Sequence, residues 1–392
     1  MGENCSLKKY NYSKQKINSS DITNVKKTLL FQDLSRGPAV RQFEKNLKKY
    51  TKSKYVVAVN NGTSALIAAI RSLSLKNNST IAVPNITFVA SASSVLLSGY
   101  KVKLVDVSEK SGLIEPETLK KVLKKNKISC LINVHLNGNI GDLKSIRNIC
   151  NKFKVKIIDD ACHALGTKFK KDKKNYNICD NSFCDISTLS FHPTKLITTG
   201  EGGAVLTNNK KIYEKLLKIV NHGYEKYRLK NKNFYHNYYK IYYPGYNFRI
   251  SDINCSLGLS QLANIKNKIL HRRKIAKYYN LLFKENKFVD YLQISKDIKC
   301  SYHLYPIFLK NYYKINKLKL MNNLKKKNIF TQIHYLPLNK QPFLKEKNKF
   351  FPKSQEYFNK EISIPIHEHI DLKDAKYIAN TIIKEIEKIY RN

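Results

Sequence analysis

Residues 155–164, VKIIDDACHA, combine an apolar run with the polar side chains that follow it. The apolar, β-branched first half predicts a buried strand over residues 155–159. A carboxylate at the carboxyl end of a strand points into the crevice where α/β proteins bind ligands. Asp160 is therefore a candidate ligand-binding residue, although an Asp here can equally cap the following helix. His163 either lies beside a ligand or makes a hydrogen bond in the core, which is the commoner role.

The same alternation of short β-branched runs and amphipathic stretches extends from residue 55 to about residue 207. It is typical of an α/β sheet with helices on its faces. The predicted strands are 55–59, 80–83, 102–106, 130–134, 155–159, 186–191 and 204–207. The predicted helices are 64–73, 89–98, 116–124, 143–153 and 211–220.

A second domain is expected after Asp252. A chain of 392 residues suits a catalytic domain of about 250 residues plus a smaller one. Beyond this point the pattern predicts one long helix over residues 253–282, a mixed segment and a final helix over residues 372–390. We therefore predict a large domain over residues 1–252 and a small C-terminal domain over residues 253–392.

A second candidate site element is NNGTSAL, residues 60–66, between a predicted strand and a predicted helix. Gly62 permits close approach of the backbone to a ligand. Free N–H groups and the helix dipole favour a phosphate, and the hydroxyls of Thr63 and Ser64 add donors. An ordinary helix N-cap explains the same residues equally well.

Lys195 is the third candidate, between the predicted strand 186–191 and the glycine cluster TTGEGG at residues 198–203. Lysine alone is no signal, because all but nine of the 72 basic residues are lysines. Its position is informative, since clustered glycines let the backbone bend around a cofactor while the lysine reaches in. A pyridoxal phosphate (PLP) site needs such a lysine, an anion opposite the pyridine nitrogen and a phosphate cradle.

Four segments, in matching order and spacing, resemble the DegT/DnrJ family of sugar aminotransferases. They are NGTSAL (61–66), DDACHALG (159–166), SFHPTK (190–195) with GEGG (200–203), and GYNFR (245–249). The resemblance implies an α/β, fold-type-I PLP-dependent transferase. Such a protein has a large domain with a mostly parallel seven-stranded sheet between helices, a small α+β C-terminal domain, and a homodimer with active sites at the interface.

The resemblance also implies roles for single residues. Lys195 would carry PLP covalently and move a proton, Asp160 would pair with the pyridine nitrogen, and His163 would lie beside the ring. Phe88 would stack on the ring. The implied phosphate contacts are Gly62, Thr63, Ser64 and Ser190, and Asn247 would reach in from the partner subunit.

Within the family, the chain is most similar to enzymes that transfer an amino group from L-glutamate to C4 of a UDP-linked 4-keto-6-deoxy-N-acetylhexosamine for pseudaminic acid synthesis. The segments that show this similarity are YSKQ (12–15), SRGP (35–38) and HYLP (334–337). The implied sugar-nucleotide contacts are Tyr12, Ser35, Arg36, Gly37, Ser190, Asn247, His334, Tyr335, Leu336 and Pro337. Ser35 replaces the family's usual Thr, which affects sugar recognition. Substrates of the legionaminic acid, perosamine or aminoarabinose type stay open as alternatives.

The formal net charge of +43 raises the alternative of a basic nucleic-acid-binding protein. Lysine is, however, spread along the whole chain among Asn, Ile and Tyr, which favours compositional bias. Tyrosines within residues 224–246 could stack on bases, but a long ordered loop that covers a site or an interface is the favoured interpretation. We predict no nucleic-acid partner, although the positive field would attract a diphosphate-bearing substrate.

Neither a metal site nor a membrane segment is predicted. The eight cysteines lack CxxC spacing, and Cys179 and Cys184, the closest pair, have no second pair at zinc-site spacing. No apolar run approaches the roughly 18 residues that span a bilayer, and the polar N-terminus has no signal-peptide core, so a cytoplasmic location is expected. The opening MGENCS also fits the loose pattern for N-myristoylation, which is the weaker alternative.

Overall fold

Strands and helices alternate along the first half of the computed structural model, which describes residues 8–226, 239–241, 243–310, 312–344 and 350–391. The helices are α1 (Ser19–Phe31), α2 (Pro38–Thr51), α3 (Gly62–Ser72), α4 (Ala90–Leu97), α5 (Pro116–Lys125), α6 (Leu143–Lys152), α7 (Lys210–Ile219), α8 (Asp252–Ala263), α9 (Ile265–Phe283), α10 (Lys317–Lys326), α11 (Pro352–Lys360) and α12 (Leu372–Arg391). The strands are β1 (Tyr55–Val59), β2 (Thr80–Pro84), β3 (Lys101–Val105), β4 (Cys130–Val134), β5 (Lys156–Asp160), β6 (Lys168–Lys171), β7 (Lys174–Asn177), β8 (Ile186–Ser190), β9 (Gly203–Thr207), β10 (Tyr224–Lys226), β11 (Tyr239–Ile241), β12 (Val289–Tyr291), β13 (Ile298–Lys299), β14 (Tyr305–Leu309) and β15 (Glu361–Ile364).

A seven-stranded sheet with the order β1-β9-β8-β5-β4-β2-β3 positions the candidate residues. The pairs among β8, β5, β4, β2 and β3 are parallel, and β9 is antiparallel to both of its neighbours. A parallel return usually needs a crossover helix. The connection from β8 to β9 has none, so β9 returns antiparallel beside β8. The predicted mostly parallel, seven-stranded sheet is confirmed.

The predicted elements of this sheet begin and end within two residues of the observed ones, but the sequence missed α1, α2 and the β6–β7 hairpin. The single long helix expected over residues 253–282 was wrong. It is two helices, α8 and α9, because Asn264 ends the first at φ −96° and ψ 3°, and accepts a side-chain hydrogen bond from Asn267 Nδ2 (2.9 Å).

The long loop expected over residues 224–246 needs a correction at its ends, where β10 and β11 pair antiparallel. The MGENCS segment lies outside the described residues, and so do four of the eight tyrosines of residues 224–246, namely Tyr227, Tyr235, Tyr238 and Tyr242.

The small C-terminal part is built on the antiparallel sheet β12-β14-β15. Its core packs α9, α10 and α12 against this sheet, with Ile275, Tyr279 and Ile382 fully buried. Leu262 and Ile265 instead pack into the core of the large sheet. Hydrophobic contacts therefore cross the predicted boundary at residue 252, and that boundary stays a prediction.

Within the described ranges, no helix is long and apolar enough to span a membrane. In the same residues, no group of three or more His, Cys, Asp or Glu side chains is arranged to hold a metal ion.

Candidate active site

A cavity of about 310 Å³ opens at the carboxyl ends of β1, β5 and β8. It is lined by Gly62 after β1, Asp160 at the end of β5 and Lys195 after β8. The sheet order brings these three residues together although they are distant in sequence. This is the edge at which open α/β sheets bind ligands.

The carboxylate of Asp160 is held from two sides. Ser91 Oγ donates to Oδ2 (3.0 Å), and the backbone N–H of Cys162 donates to Oδ1 (3.3 Å). Ser91 Oγ also lies 2.9 Å from Thr87 Oγ1. Since Asp160 and Ser91 are both buried, an oriented negative charge faces the cavity, as pairing with a protonated pyridine nitrogen requires.

The turn that carries Lys195 is closed by backbone hydrogen bonds from Lys195 N to His192 O (2.8 Å) and from Thr199 N to Phe191 O (3.0 Å). Burial lowers the pKa of the Lys195 amine from its ordinary 10.5, while nearby Cys162 and Asp160 oppose the shift. The amine therefore loses its proton more readily than an exposed lysine does, which suits a proton-transfer role.

The phosphate cradle predicted at Gly62 is a close approach of two backbone segments. A Cβ added to Gly62 would lie 2.9 Å from Ser190 Cβ, so a larger residue does not fit without movement. Asn61 caps α3 through a bond from Ser64 N to its Oδ1 (2.8 Å), and Thr63 and Ser190 line the cavity. Ser64 is buried behind this wall, and its N–H is used by the cap.

Aromatic side chains form the wall beside Asp160. Phe88 is 56% exposed and packs 5.9 Å from Tyr335 between ring centroids. His163 Nδ1 accepts from the N–H of Asn137 (3.4 Å), and its Nε2 contacts Tyr335 Oη (3.3 Å). Burial and the charge of Lys195 hold the pKa of His163 well below 6.5. His163 therefore enters the cavity as a neutral imidazole.

The far wall combines the N-terminal segment with the small C-terminal part. Tyr12 packs against His334 at 5.5 Å between ring centroids, and Ser13 Oγ donates to Thr194 O (2.9 Å), next to Lys195. Tyr12, His334 and Tyr335 all line the cavity. Three of the predicted sugar contacts thus share one wall.

The remaining predicted residues lie outside this cavity. Arg36 and Gly37 line a separate hollow of about 440 Å³ together with Arg249. Asn247 forms a backbone bridge to Asn221. Ser35, Leu336 and Pro337 also do not line the cavity. Their roles stay predictions.

Several residues of the site were not predicted from the sequence. Ser91 and Thr87 support Asp160, and the tilted ring of His303 packs against His163 with 4.3 Å between ring centroids. Ser91 carried no distinguishing signal, because Ser93 and Ser94 lie beside it in the same helix, α4. His303 carried none, because its contact with His163 depends wholly on tertiary packing.

The chain is similar in sequence to aminotransferases over nearly its full length. The profile of the DegT/DnrJ/EryC1/StrS aminotransferase family matches residues 15–383. A UDP-4-amino-4,6-dideoxy-N-acetyl-beta-L-altrosamine transaminase of Campylobacter jejuni (serotype O:23/36, strain 81-176) is 34% identical, with 96% of this chain and 98% of the relative aligned. The enzyme of the same name from Helicobacter pylori is 30% identical, with 97% and 99% aligned.

Solved structures show the same likeness. Helicobacter pylori PseC, an aminotransferase involved in the biosynthesis of pseudoaminic acid, has a TM-score of 0.88 at 29% identity and covers 97% of this chain and 100% of its own. The PMP form of the putative sugar aminotransferase Spr1654 from Streptococcus pneumoniae has a TM-score of 0.87 at 25% identity, with 96% and 99% covered. The predicted fold class and family are confirmed: the chain belongs to the DegT/DnrJ/EryC1/StrS aminotransferase family.

Proposed function

We propose that the protein is a PLP-dependent transaminase that moves an amino group from L-glutamate to C4 of a UDP-linked 4-keto-6-deoxy-N-acetylhexosamine. The product is a 4-amino sugar nucleotide for surface glycans of the pseudaminic acid type. The observation that carries the proposal is the cavity shared by Asp160, Lys195 and the Gly62–Ser190 contact. Relatives from Campylobacter and Helicobacter support the choice of sugar.

The residues of the cavity fit the cofactor. PLP, when bound, supplies an electron sink for negative charge at a substrate carbon. Asp160, oriented by Ser91, would hold the proton on the ring nitrogen, and Phe88 would cover one ring face. The N–H groups at the start of α3, with Thr63 and Ser190, would hold the phosphate.

The polar groups of the cavity divide the remaining work. Lys195 Nζ, with its lowered pKa, would take the proton from the amino donor's carbon and deliver it to the cofactor. Burial lowers the pKa of His163 and His334 below the ordinary 6.5, so both rings are weak bases that would not compete with Lys195 for this proton. Tyr12 and His334 would bind the sugar nucleotide at the opposite wall.

We further propose a cytoplasmic homodimer with shared active sites. Helix α1 exposes Ile22, Leu29 and Phe31, an apolar surface that supports a covering second subunit. Arg36 and Asn247, outside the cavity of their own chain, would then serve the partner's cavity. Mixing Lys195→Ala with Asn247→Ala protein should restore activity that neither variant has alone, because a mixed dimer contains one intact site. No recovery after subunit exchange would contradict shared sites.

Absorbance and substrate assays test the function. Purified protein should show the visible band of lysine-linked PLP, and Lys195→Ala should lose it and all transamination. With L-glutamate as donor, a panel of UDP-, GDP- and TDP-linked 4-keto-6-deoxy sugars should give fastest amination of the UDP-linked N-acetylhexosamine. Faster amination of a GDP- or TDP-linked sugar would reassign the substrate, and a Lys195→Ala protein that keeps the band would refute the role of the lysine.

A further inference from the structure

A buried carboxylate and a buried hydroxyl adjoin His334, the histidine on the far wall of the cavity. Glu361 and Ser363 are alternate residues of β15, so both side chains project from the same face of the strand. Neither side chain is exposed. Backbone hydrogen bonds from Gln332 N to Ser363 O (3.1 Å) and from Ser363 N to Gln332 O (2.8 Å) fix the segment of His334 beside this strand.

The hydrogen bonds of these groups have only one consistent direction while Glu361 is ionised. Ser363 Oγ lies 2.6 Å from Glu361 Oε1 and 2.8 Å from His334 Nδ1. A carboxylate can only accept and a hydroxyl has one proton, so Ser363 donates to Glu361 and accepts from Nδ1–H. The backbone N–H of His334 donates to Glu361 Oε2 (2.9 Å). Each acceptor and donor is then satisfied.

The charge state of the ring completes the assignment. Burial, with a smaller contribution from Lys195, lowers the pKa of His334 to about 3. The imidazole is therefore neutral near pH 7, and with its proton on Nδ1 the other nitrogen, Nε2, carries a lone pair. Since the bond to Ser363 uses Nδ1, Nε2 is the nitrogen available to a ligand in the cavity that His334 lines.

We propose that Glu361, acting through Ser363, holds His334 in the tautomer whose Nε2 accepts a hydrogen bond from a hydroxyl or amide N–H of the sugar nucleotide. The inference rests on the proposed function, and it makes Glu361 and Ser363 positioning residues that do not touch the substrate. Burying a carboxylate is costly. An apolar residue would be the less costly choice at this position if it served packing alone.

Protonation of Glu361 would reverse the direction of the hydrogen bonds that join Glu361, Ser363 and His334. Titratable groups face it from three directions: Lys317 from α10, Tyr357 from α11, and His334 and Tyr335 from the cavity segment. Burial raises the pKa of Glu361 to about 7, against the opposing charge of Lys317. A protonated carboxyl can donate to Ser363, whose hydroxyl then donates to Nδ1, and the ring proton moves to Nε2. The KM for the sugar nucleotide should therefore rise as the pH falls below about 7.

Glu361→Gln should impose the reversed hydrogen-bond direction at every pH. The amide carbonyl would accept from the N–H of His334, which leaves the NH₂ group to donate to Ser363. We expect the KM for the sugar nucleotide to rise about 10-fold, the worth of one hydrogen bond, with little change in kcat. The half-reaction with L-glutamate should be unchanged, and the acid-side rise in KM should disappear.

Nitrogen NMR of histidine-labelled protein reads the tautomer without turnover. Above pH 7, where Glu361 is ionised, Nε2 of His334 should be unprotonated in the wild type and protonated in Glu361→Gln, with the resonance assigned by its loss in His334→Gln. Ser363→Ala should remove the preference for Nδ1–H. The control is Glu385→Gln, which removes a buried carboxylate of α12 bonded to Asn323 Nδ2 (3.1 Å) and should leave KM and the spectrum unchanged.

Three outcomes above pH 7 would overturn the proposal: Nε2–H in the wild type, an unchanged spectrum in Ser363→Ala, or a KM equal to that of the wild type in a folded Glu361→Gln. If Glu361→Gln does not fold, the spectrum of Ser363→Ala decides. If no sugar nucleotide is aminated, the proposed function fails, whereas the spectra still establish or refute the tautomer.

Discussion

Removing the hydroxyl of Ser91 should slow the reaction and weaken PLP binding, although Ser91 is not among the residues that line the cavity. In Ser91→Ala, the Asp160 carboxylate loses the donor at 3.0 Å, and the Thr87 hydroxyl at 2.9 Å loses its neighbour. A hydrogen bond to a charged group contributes about 1.5–3 kcal/mol. Each 1.4 kcal/mol is a factor of ten in an equilibrium constant or a rate. We therefore expect the affinity for PLP and the rate of the reaction to fall by about 10- to 100-fold.

Titration of the apoprotein with PLP, followed by the visible band, measures the dissociation constant, and single-turnover reaction with L-glutamate measures the rate. The matched control is Ser94→Ala in the same helix. Ser94 is equally buried, and its hydroxyl has no hydrogen-bond partner among the described residues. Losing it should therefore leave both quantities near wild type. Equal effects in the two variants would refute the reasoning, because the loss would then come from the helix and not from Asp160.

Two further substitutions test other parts of the molecule. Gly62→Ala should weaken PLP binding at least tenfold in the same titration, because the added Cβ would lie 2.9 Å from Ser190 Cβ. Gly141→Ala is the control and should bind PLP normally, since its added Cβ meets nothing closer than 3.5 Å. Equal affinities in the two variants would contradict the phosphate cradle at Gly62. Burial raises the pKa of Glu44 from 4.5 to about 7. Between these pH values the folded protein therefore binds more protons than the unfolded chain. The free energy of unfolding should fall as the pH rises from 4.5 to about 7. Glu44→Gln should flatten that fall in urea denaturation measured at several pH values; an unchanged slope would show that Glu44 is not its source.

The sequence predicted the central sheet and three of the site's residues because their signals are local. Asp160 ends an apolar strand, and Gly62 and Lys195 lie in the turns that follow two others, so the predicted strands also predict which edge of the sheet these residues occupy. Ser91 could not be assigned in this way, because its partner Asp160 is 69 residues away along the chain. The role of Ser363 was equally impossible to predict from the sequence. Its partner, His334, lies beside β15 only because of tertiary packing.

Helix α1 was missed for a related reason. Helix α1 exposes most of its apolar residues in the isolated chain, so its pattern lacks the single apolar stripe by which a surface helix is recognised. Its apolar surface has a function only if another molecule covers it. The roles predicted for Arg36 and Asn247 depend on a second subunit in the same way.

The antiparallel return of β9 also sets the order in which the protein can fold. Strand β9 pairs with β1, which lies about 150 residues earlier in the chain, as in the pair Tyr55↔Thr207. Contacts of such long sequence separation form slowly, since a large loop must close first. Strand β9 lies between β1 and β8 and so holds the start of α3 beside the turn of Lys195. PLP can therefore stabilise the finished chain by mass action, raising the refolded yield without accelerating the slow step.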